Sequence, residues 1–168
     1  MKIDLHNHSK YSDGVLSVKE LLNLAKEKKI DIMGLTDHDS VFGVDEAYTY
    51  GKEVGVKVLK GMELSTFHKG QTVHIVCYFK NNVIPKELYE FSQNIINTRL
   101  QRAHKMINKI KDYYKINIDE DFLFKNSCIV TRGNMYQCIL HSNPDIDHTL
   151  AQQMISDDSP CYTSFCKL

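Results

Sequence analysis

Two histidines stand two residues apart near the start of the chain, directly after a segment predicted to be a β-strand. They are His6 and His8, in the run His6-Asn7-His8. Side chains at positions i and i+2 beside a strand end point to the same side, so both imidazoles can reach one cation. Asp13 follows in a short stretch that ends at Gly14. Glycine permits a sharp loop there, which could fold the Asp13 carboxylate back towards the histidines.

Three further potential ligands accompany the next predicted strands. His38 directly follows the second strand, Glu63 comes just past the third, and His74 lies in the fourth. Residues at the carboxyl ends of parallel strands converge on one edge of a sheet, so we expect these side chains to lie near His6 and His8. Imidazole nitrogen and carboxylate oxygen together suit zinc, manganese or iron. The pattern therefore predicts a metal site with several ligands.

Each of these residues also has an ordinary explanation when it is taken alone. A His-x-His pair is commonly solvated or caps a helix, and Asp13 suits a turn. Asp37 and Asp39, on either side of His38, are typical helix caps or loop acids. Four of the six potential ligands, His6, His8, His38 and Glu63, share a placement at strand ends, and this favours the metal site over these separate explanations.

The elements that must position these residues follow from hydrophobic periodicity and capping signals. Strands are predicted at residues 2–6, 30–35, 56–59 and 72–79, and helices at residues 17–28, 44–54, 85–114 and 131–140. The early order is strand, helix, strand, helix, strand, strand. This order predicts an α/β fold with parallel strands.

The composition is that of one globular domain and excludes several function classes. Of the 168 residues, 42% are hydrophobic and 25% charged, and Lys plus Arg balance Asp plus Glu at 21 each. No overall charge therefore favours nucleic acid or a membrane surface. Six basic residues occur between Arg99 and Lys115; we interpret them as the solvated face of a long helix, and expect no strong general binding of nucleic acid. The five cysteines form no Cys-x-x-Cys pair. The sequence also lacks a signal-peptide pattern and an apolar run long enough to span a membrane. Together these features predict a cytoplasmic protein.

Five short motifs together resemble a known family, the PHP (polymerase and histidinol phosphatase) phosphoesterases, and they occur in the family's order over the first half of the chain. The motifs are Asp4-Leu5-His6-Asn7-His8-Ser9, Tyr11-Ser12-Asp13-Gly14, Leu35-Thr36-Asp37-His38-Asp39, Gly61-Met62-Glu63-Leu64-Ser65 and His74-Ile75-Val76-Cys77-Tyr78. The resemblance implies a distorted β/α barrel with two or three divalent metal ions at its carboxyl rim. It implies hydrolysis of phosphate esters of small metabolites, nucleotides or short oligonucleotides by metal-activated water, without a side-chain nucleophile.

The resemblance also implies a role for each ligand. His6 and His8 would bind the first metal, Glu63 would bridge it to a second that His74 also binds, and Asp13 and His38 would bind a third. Residues 1–84 would form the amino-terminal part of the barrel, residues 85–140 a helical insertion, and residues 141–168 an irregular tail. An arginine of the insertion contacts the substrate phosphate in the family, and Arg132 is its match.

Two features of the chain differ from the family pattern. Gly133 and Asn134 stand where this branch usually has a proline and a histidine after the arginine. The later Ala-His-Pro and Asp-x-His motifs have no match, because Asp145-Ile146-Asp147-His148 has a different register. We therefore expect a truncated family member that is weakly active or inactive alone. The alternatives are a non-catalytic fragment, or a remnant whose partner supplies the rest of the barrel. A metal-dependent amidohydrolase is a further alternative, for which Lys57 and Lys60 are poor matches to the metal-bridging lysine.

Overall fold

The computed structural model describes residues 1–69, 71–125 and 129–163, and the chain forms two compact units, Met1–Ile95 and Ile96–Leu168. The first unit holds four strands and two helices, and a long helix, α3, begins there and ends in the second unit. The elements are β1 Ile3–Asn7, α1 Val18–Glu27, β2 Ile32–Leu35, α2 Val44–Val54, β3 Lys57–His68, β4 Gln71–Tyr78, a 3-10 turn Lys80–Asn82, α3 Glu87–Tyr114, α4 Glu120–Lys125, α5 Arg132–Ser142 and α6 His148–Met154.

The four strands form one sheet in the order β1-β2-β3-β4. The pairs β1–β2 and β2–β3 are parallel, with α1 and α2 as the connections between them, so the predicted α/β class is confirmed. The pair β3–β4 is antiparallel, so the expectation of parallel strands is wrong for β4. The physical reason is the short link between His68 and Gln71, because a parallel pair needs a crossover of about a dozen residues or more.

Strand β3 is much longer than its apolar residues predicted. It covers Lys57–His68, and Glu63 therefore lies inside the strand and not just past its end. The extension pairs in continuous register with β4, from Gly61 opposite Tyr78 to His68 opposite Gln71. Backbone pairing with β4 stabilises this polar half of β3, which its own side chains did not predict.

Helices α1 and α2 pack against the sheet through small apolar stripes. Helix α1 begins with a capping box, in which Ser17 and Glu20 each accept a hydrogen bond from the other's backbone N–H. The core of the first unit is formed by one cluster of buried apolar side chains: Val18, Leu22, Ala25, Met33, Leu35, Val41, Val44, Ala47, Val56, Val58 and Met62. Helix α2 ends at Val54, and Gly55 adopts the left-handed conformation that glycine favours there (φ 81°).

The second unit is helical in its described residues and has a core of its own. Helix α5 begins with a capping box between Thr131 and Asn134, close to the predicted start. Helices α4 and α6 were not predicted, and α6 corrects the interpretation of residues 141–168 as wholly irregular. Asp147 caps α6 by accepting a hydrogen bond from the Leu150 N–H. The predicted boundaries at residues 84 and 140 stay a prediction. In the part of the chain that the structure describes, no helix combines the length and apolar character needed to cross a membrane.

Candidate metal centre

A bulge in β1 positions the first two histidines. Asp4 pairs with Met33, and the next pair is Asn7 with Leu35, so β1 carries one residue more than β2 across this interval. The Asn7 amide donates to the Gly34 carbonyl oxygen at 3.2 Å and holds the bulged end of β1 against β2. Bulges of this kind redirect side chains, and they are common beside functional sites.

A buried carboxylate, that of Asp37, holds the loop that carries Asp13. Asp37 Oδ1 accepts hydrogen bonds from the Ser9 N–H at 2.7 Å and the Ser12 hydroxyl at 2.6 Å, and Oδ2 accepts from the Ser9 hydroxyl at 2.8 Å. Burial raises the pKa of Asp37, whereas these hydrogen bonds act in the opposite direction. The loop also requires Gly14, since a Cβ at that position would lie 2.3 Å from the His8 carbonyl oxygen.

Backbone pairing brings His38 beside Glu63. The Glu63 N–H donates to the Asp37 carbonyl oxygen at 3.1 Å, and the Asp39 N–H donates to the Glu63 carbonyl oxygen at 2.9 Å. These two bonds form a parallel bridge between His38 and Glu63 beyond the end of β2. On the other side of β3, Val76 pairs with Glu63 and His74 pairs with Ser65. Glu63 is therefore fixed from both neighbouring strands.

The six predicted ligands converge at this edge of the sheet, around Glu63. Glu63 Oε2 lies 2.7 Å from His6 Nε2, 2.9 Å from His8 Nε2 and 3.7 Å from His38 Nδ1, while Oε1 lies 3.8 Å from His74 Nδ1. Asp13 lies on the far side of two of these rings, with Oδ1 2.7 Å from His8 Nδ1 and Oδ2 3.7 Å from His38 Nε2. Glu63 is 6% exposed, so its charge is largely removed from water.

The electrostatics favour ionised carboxylates. The hydrogen bond from His8 holds the pKa of Asp13 below its ordinary value. Burial raises the pKa of Glu63, but the hydrogen bond from His6 and the charges of the neighbouring imidazoles outweigh burial, and the net pKa is lowered. Ionised carboxylates are the form that binds metal cations.

The pKa values of the two central histidines, His8 and His38, are shifted in opposite directions. Burial lowers the pKa of His8, but the hydrogen bond and charge of Asp13, with the charges of Glu63 and Asp37, outweigh it and leave the pKa raised. Burial also lowers the pKa of His38, and there the nearby carboxylates do not outweigh it. His38 is thereby held towards the neutral imidazole, which is the form that coordinates metals.

The donor set fits divalent metal ions. Three overlapping groups have ligand atoms within 4.8 Å of one another: His6, His8 and Glu63; His8, Asp13 and His38; and His38, Glu63 and His74. His6 Nε2 and His8 Nε2 lie 3.1 Å apart and both approach the same carboxylate oxygen. Within the described ranges, the buried Nδ1 of His38 has no hydrogen-bond partner. A cation would satisfy this ring nitrogen, for which the described residues provide no hydrogen-bond partner.

The structure thus brings together six of the seven predicted site residues, and their roles as ligands stay a prediction. The seventh, Arg132, is the first residue of α5 in the second unit, where its Nη1 lies 2.9 Å from Asp157 Oδ1. Sequence reasoning missed Asp37, Ser9 and Ser12 as residues that position the site. The signal available was the placement of two serines around the Asp13 loop, where hydroxyls can satisfy a buried acid.

The sequence model of one family, described as the PHP domain, matches residues 4–156. The chain belongs to the PHP domain family. A 5'-3' exoribonuclease of Haemophilus influenzae is 47% identical over 75 residues, which cover 45% of this PHP chain and 27% of that protein. A 3',5'-nucleoside bisphosphate phosphatase of Chromobacterium violaceum is 36% identical over 104 residues, which cover 62% of this chain and 36% of that protein.

A solved structure has the same fold as this PHP chain. It is an amidohydrolase from Chromobacterium violaceum with bound sulfate, 28% identical with a TM-score of 0.83, and the match covers 98% of this chain and 58% of that chain. The four-stranded sheet with its helices therefore matches part of a PHP-type barrel. The chain spans less than two thirds of the length of each of these three proteins.

Proposed function

We propose that this chain carries the metal-binding part of a phosphoesterase that hydrolyses phosphate esters with the help of divalent metal ions. The observation that supports the proposal best is the arrangement around Glu63, whose one carboxylate lies within 3.8 Å of nitrogen atoms of four histidines. A structural ion pair would need one such partner. Four imidazoles around a carboxylate that is 6% exposed are typical of a metal centre.

Each ligand has a proposed place in the centre. His6 and His8 bind one metal ion with Glu63, and Glu63 and His74 bind a second. Asp13 and His38 bind a third, and Asp13 also orients His8 through the hydrogen bond at Nδ1. The mixture of nitrogen and oxygen donors suits manganese, zinc or iron.

Bound metal ions would supply a water of lowered pKa and would neutralise negative charge on the phosphoryl oxygens. The protein's own residues do the remaining work. Glu63 and Asp13 set the negative charge of the centre, and Asp37 holds the loop of Asp13 in place. We also propose that Arg132 binds a phosphate group of the substrate, because it matches the phosphate-contacting arginine of the family and its planar guanidinium suits phosphate.

The names of the relatives support phosphorylated substrates. One relative is a nucleoside bisphosphate phosphatase and another is an exoribonuclease, and the solved relative contains sulfate, a tetrahedral oxyanion like phosphate. We propose phosphorylated small molecules, nucleotides or short oligonucleotides as substrates. We also propose a cytoplasmic location, because the cysteines described in the structure, Cys77, Cys138 and Cys161, are free thiols.

The proposal is tested by metal content and hydrolysis in matched variants. The purified chain is loaded with manganese, zinc or iron(II), its bound metal is measured by mass spectrometry, and p-nitrophenyl phosphate and bis(p-nitrophenyl) phosphate are offered as substrates. Glu63→Gln should lower both bound metal and turnover. The control is Glu53→Gln, since Glu53 is an exposed residue of α2 and its change should leave both unaltered. Equal metal content and turnover in the parent and Glu63→Gln would contradict the proposal.

A second candidate is amide hydrolysis, because the solved relative is an amidohydrolase. The amidohydrolase superfamily usually has a lysine that bridges its metals, and Lys60 instead donates to Asp45 and lies over the Tyr48 ring. Metal-dependent release of p-nitroaniline from p-nitroacetanilide, without release of p-nitrophenol from the phosphate esters, would favour the amidohydrolase.

A further inference from the structure

One side chain, that of Tyr78, connects the two outer strands of the sheet. Tyr78 is the last residue of β4 and Leu5 lies in β1, and these strands stand at opposite ends of the order β1-β2-β3-β4. The Tyr78 hydroxyl nevertheless donates a hydrogen bond to the Leu5 carbonyl oxygen. The tyrosine ring therefore has to cross both central strands.

Glycines on the two central strands leave room for this ring. Gly34 of β2 stands between Met33 and Leu35, which belong to the core shared with the helices, so position 34 faces the other side of the sheet. Gly61 of β3 pairs directly with Tyr78. A Cβ would lie 3.0 Å from Tyr78 Cε1 at Gly34 and 3.1 Å from Tyr78 Cδ1 at Gly61, both closer than carbon atoms normally pack. The ring thus lies across β3 and β2 on the face away from the helices.

The bulge in β1 presents the Leu5 carbonyl to this ring. Leu5 and His6 lie in the bulged interval of β1, between its regular pairs with β2. Carbonyl groups of a regular strand point towards the neighbouring strands. The Leu5 oxygen instead lies on the face that Tyr78 occupies, because a Cβ at Gly34 would be 2.4 Å from it. The Tyr78 hydroxyl is thus the donor for an acceptor that the bulge has turned out of the sheet.

From these contacts we infer that Tyr78 is a positioning residue that fixes His6 for metal binding. The Leu5 carbonyl and the His6 N–H belong to one planar peptide group, so the hydrogen bond fixes the plane from which His6 begins. The His6 side chain is 51% exposed, so packing contributes little to its position. A rotation of the peptide plane would move His6 Nε2 away from Glu63 Oε2, which now lies at 2.7 Å. The inference rests on the proposed function, because the metal centre is what His6 serves.

The first experiment measures zinc affinity in a double-mutant cycle. Zinc is titrated in competition with a chromophoric chelator into the parent, Tyr78→Phe, His6→Ala and the double variant. Tyr78→Phe keeps the ring over the glycines and removes only the hydroxyl, and it should weaken zinc binding about 10-fold. Two of the three ligand groups do not contain His6, so His6→Ala should still bind zinc. In that background Tyr78→Phe should change the affinity by less than about 2-fold, because the residue through which it acts is absent.

The matched control is Tyr50→Phe. The Tyr50 hydroxyl of α2 donates to Asn23 Oδ1 at 3.1 Å, so this variant also loses one tyrosine hydrogen bond of the first unit. It should leave zinc affinity unchanged. Equal zinc affinities in Tyr78→Phe and the parent would overturn the inference. Equal weakening by Tyr78→Phe with and without His6 would also overturn it, because Tyr78 would then support the fold as a whole.

The second experiment requires neither metal nor turnover. Hydrogen–deuterium exchange of the metal-free chain, measured by mass spectrometry on a peptide that covers residues 3–9, reports local opening of the bulged end of β1. Tyr78→Phe should accelerate exchange in this peptide about 2- to 10-fold, as expected for the loss of one hydrogen bond. Tyr50→Phe should not accelerate it. Equal exchange in Tyr78→Phe and the parent would show that the hydroxyl does not fix the bulge.

The outcomes separate this inference from the proposed function. A parent chain that binds no zinc would contradict the proposed metal centre. In that case accelerated exchange confined to the β1 peptide would still support the constraint of Tyr78 on His6, and unchanged exchange would overturn it. Zinc binding by the parent that Tyr78→Phe leaves unaltered would retain the metal centre and exclude Tyr78 as a positioning residue.

Discussion

Removal of the Asp37 carboxylate should destabilise the fold and the metal centre together. Asp37 is fully buried and accepts three hydrogen bonds from two residues of the loop that carries Asp13, at 2.7, 2.8 and 2.6 Å. Asp37→Ala removes the acceptor of one backbone N–H and two hydroxyls. The hydroxyls can rotate towards other acceptors, but the Ser9 N–H cannot. We expect the free energy of unfolding to fall by about 3–5 kcal/mol, since each buried donor left unsatisfied costs about 1–3 kcal/mol.

Asp37→Asn is the graded comparison, because it preserves the shape of the side chain. Its carbonyl oxygen can still accept from the Ser9 N–H and the Ser12 hydroxyl, while its amide group faces the Ser9 hydroxyl, which must then accept a hydrogen bond. We expect a loss of about 1–2 kcal/mol, as charge-assisted hydrogen bonds become neutral ones. Asp112→Asn, at an exposed position of α3, should change stability by less than about 0.5 kcal/mol.

Urea unfolding followed by circular dichroism measures these losses, and zinc titration measures the effect on the centre. Both Asp37 variants should bind zinc about 10- to 100-fold more weakly than the parent, because residues that hold metal ligands in place affect affinity by this amount. A substitution at the protein surface typically changes the free energy of unfolding by up to about 0.5 kcal/mol. If Asp37→Ala and Asp37→Asn both lie within about 0.5 kcal/mol of the parent, the proposed role of the buried carboxylate is refuted. An unchanged zinc affinity in a destabilised Asp37→Asn would show that the loop keeps its place without this carboxylate.

Three further predictions concern other parts of the first unit. Tyr78→Phe removes the hydrogen bond to the Leu5 carbonyl oxygen and should lower the free energy of unfolding by about 1 kcal/mol in urea melts. The hydrogen bond to Asp45 raises the pKa of Tyr89 to about 12, so a spectrophotometric titration should show a late-ionising tyrosine that is absent from Tyr89→Phe. Because this folded-state pKa lies above the ordinary value, the Tyr89–Asp45 hydrogen bond should stabilise the fold fully below about pH 10. This stabilisation should be lost as the pH rises through 12. Zinc at 100 times its dissociation constant should stabilise the parent by about 2.7 kcal/mol, an effect that a chelator reverses and that Glu63→Gln lacks.

Local signals in the sequence predicted most of the first unit. Helix α1 was predicted from its capping box at Ser17 and helix α2 from the glycine that follows it, and both lie close to their predicted ranges. These signals act over one or two turns of helix, so they can be read from neighbouring residues. The convergence of the six proposed ligands was predicted from the strand ends that carry His6, His8 and His38 and from the family motifs.

Long-range contacts explain what the sequence did not predict. The second half of β3 is stabilised by its partner strand and not by its own polar side chains, so its extent depends on β4. The role of Asp37 depends on Ser9 and Ser12, which are 28 and 25 residues away in the chain. A single acid after a strand has the same local pattern whether it is solvated or buried. Only the folded loop distinguishes these two cases.

The rigidity of the candidate centre differs from ligand to ligand, and Glu63 is held most firmly. Its backbone is hydrogen-bonded to residues 37 and 39 on one side, and it pairs with Val76 on the other, so main-chain pairing and not side-chain packing sets its position. His6 lies on the bulged β1, with a side chain that is 51% exposed, and has fewer such constraints. A ligand shared between two ions has to be placed correctly for both. The residue proposed to bridge two metals is thus the one whose position the sheet determines from both sides, which is the arrangement that a preorganised centre requires.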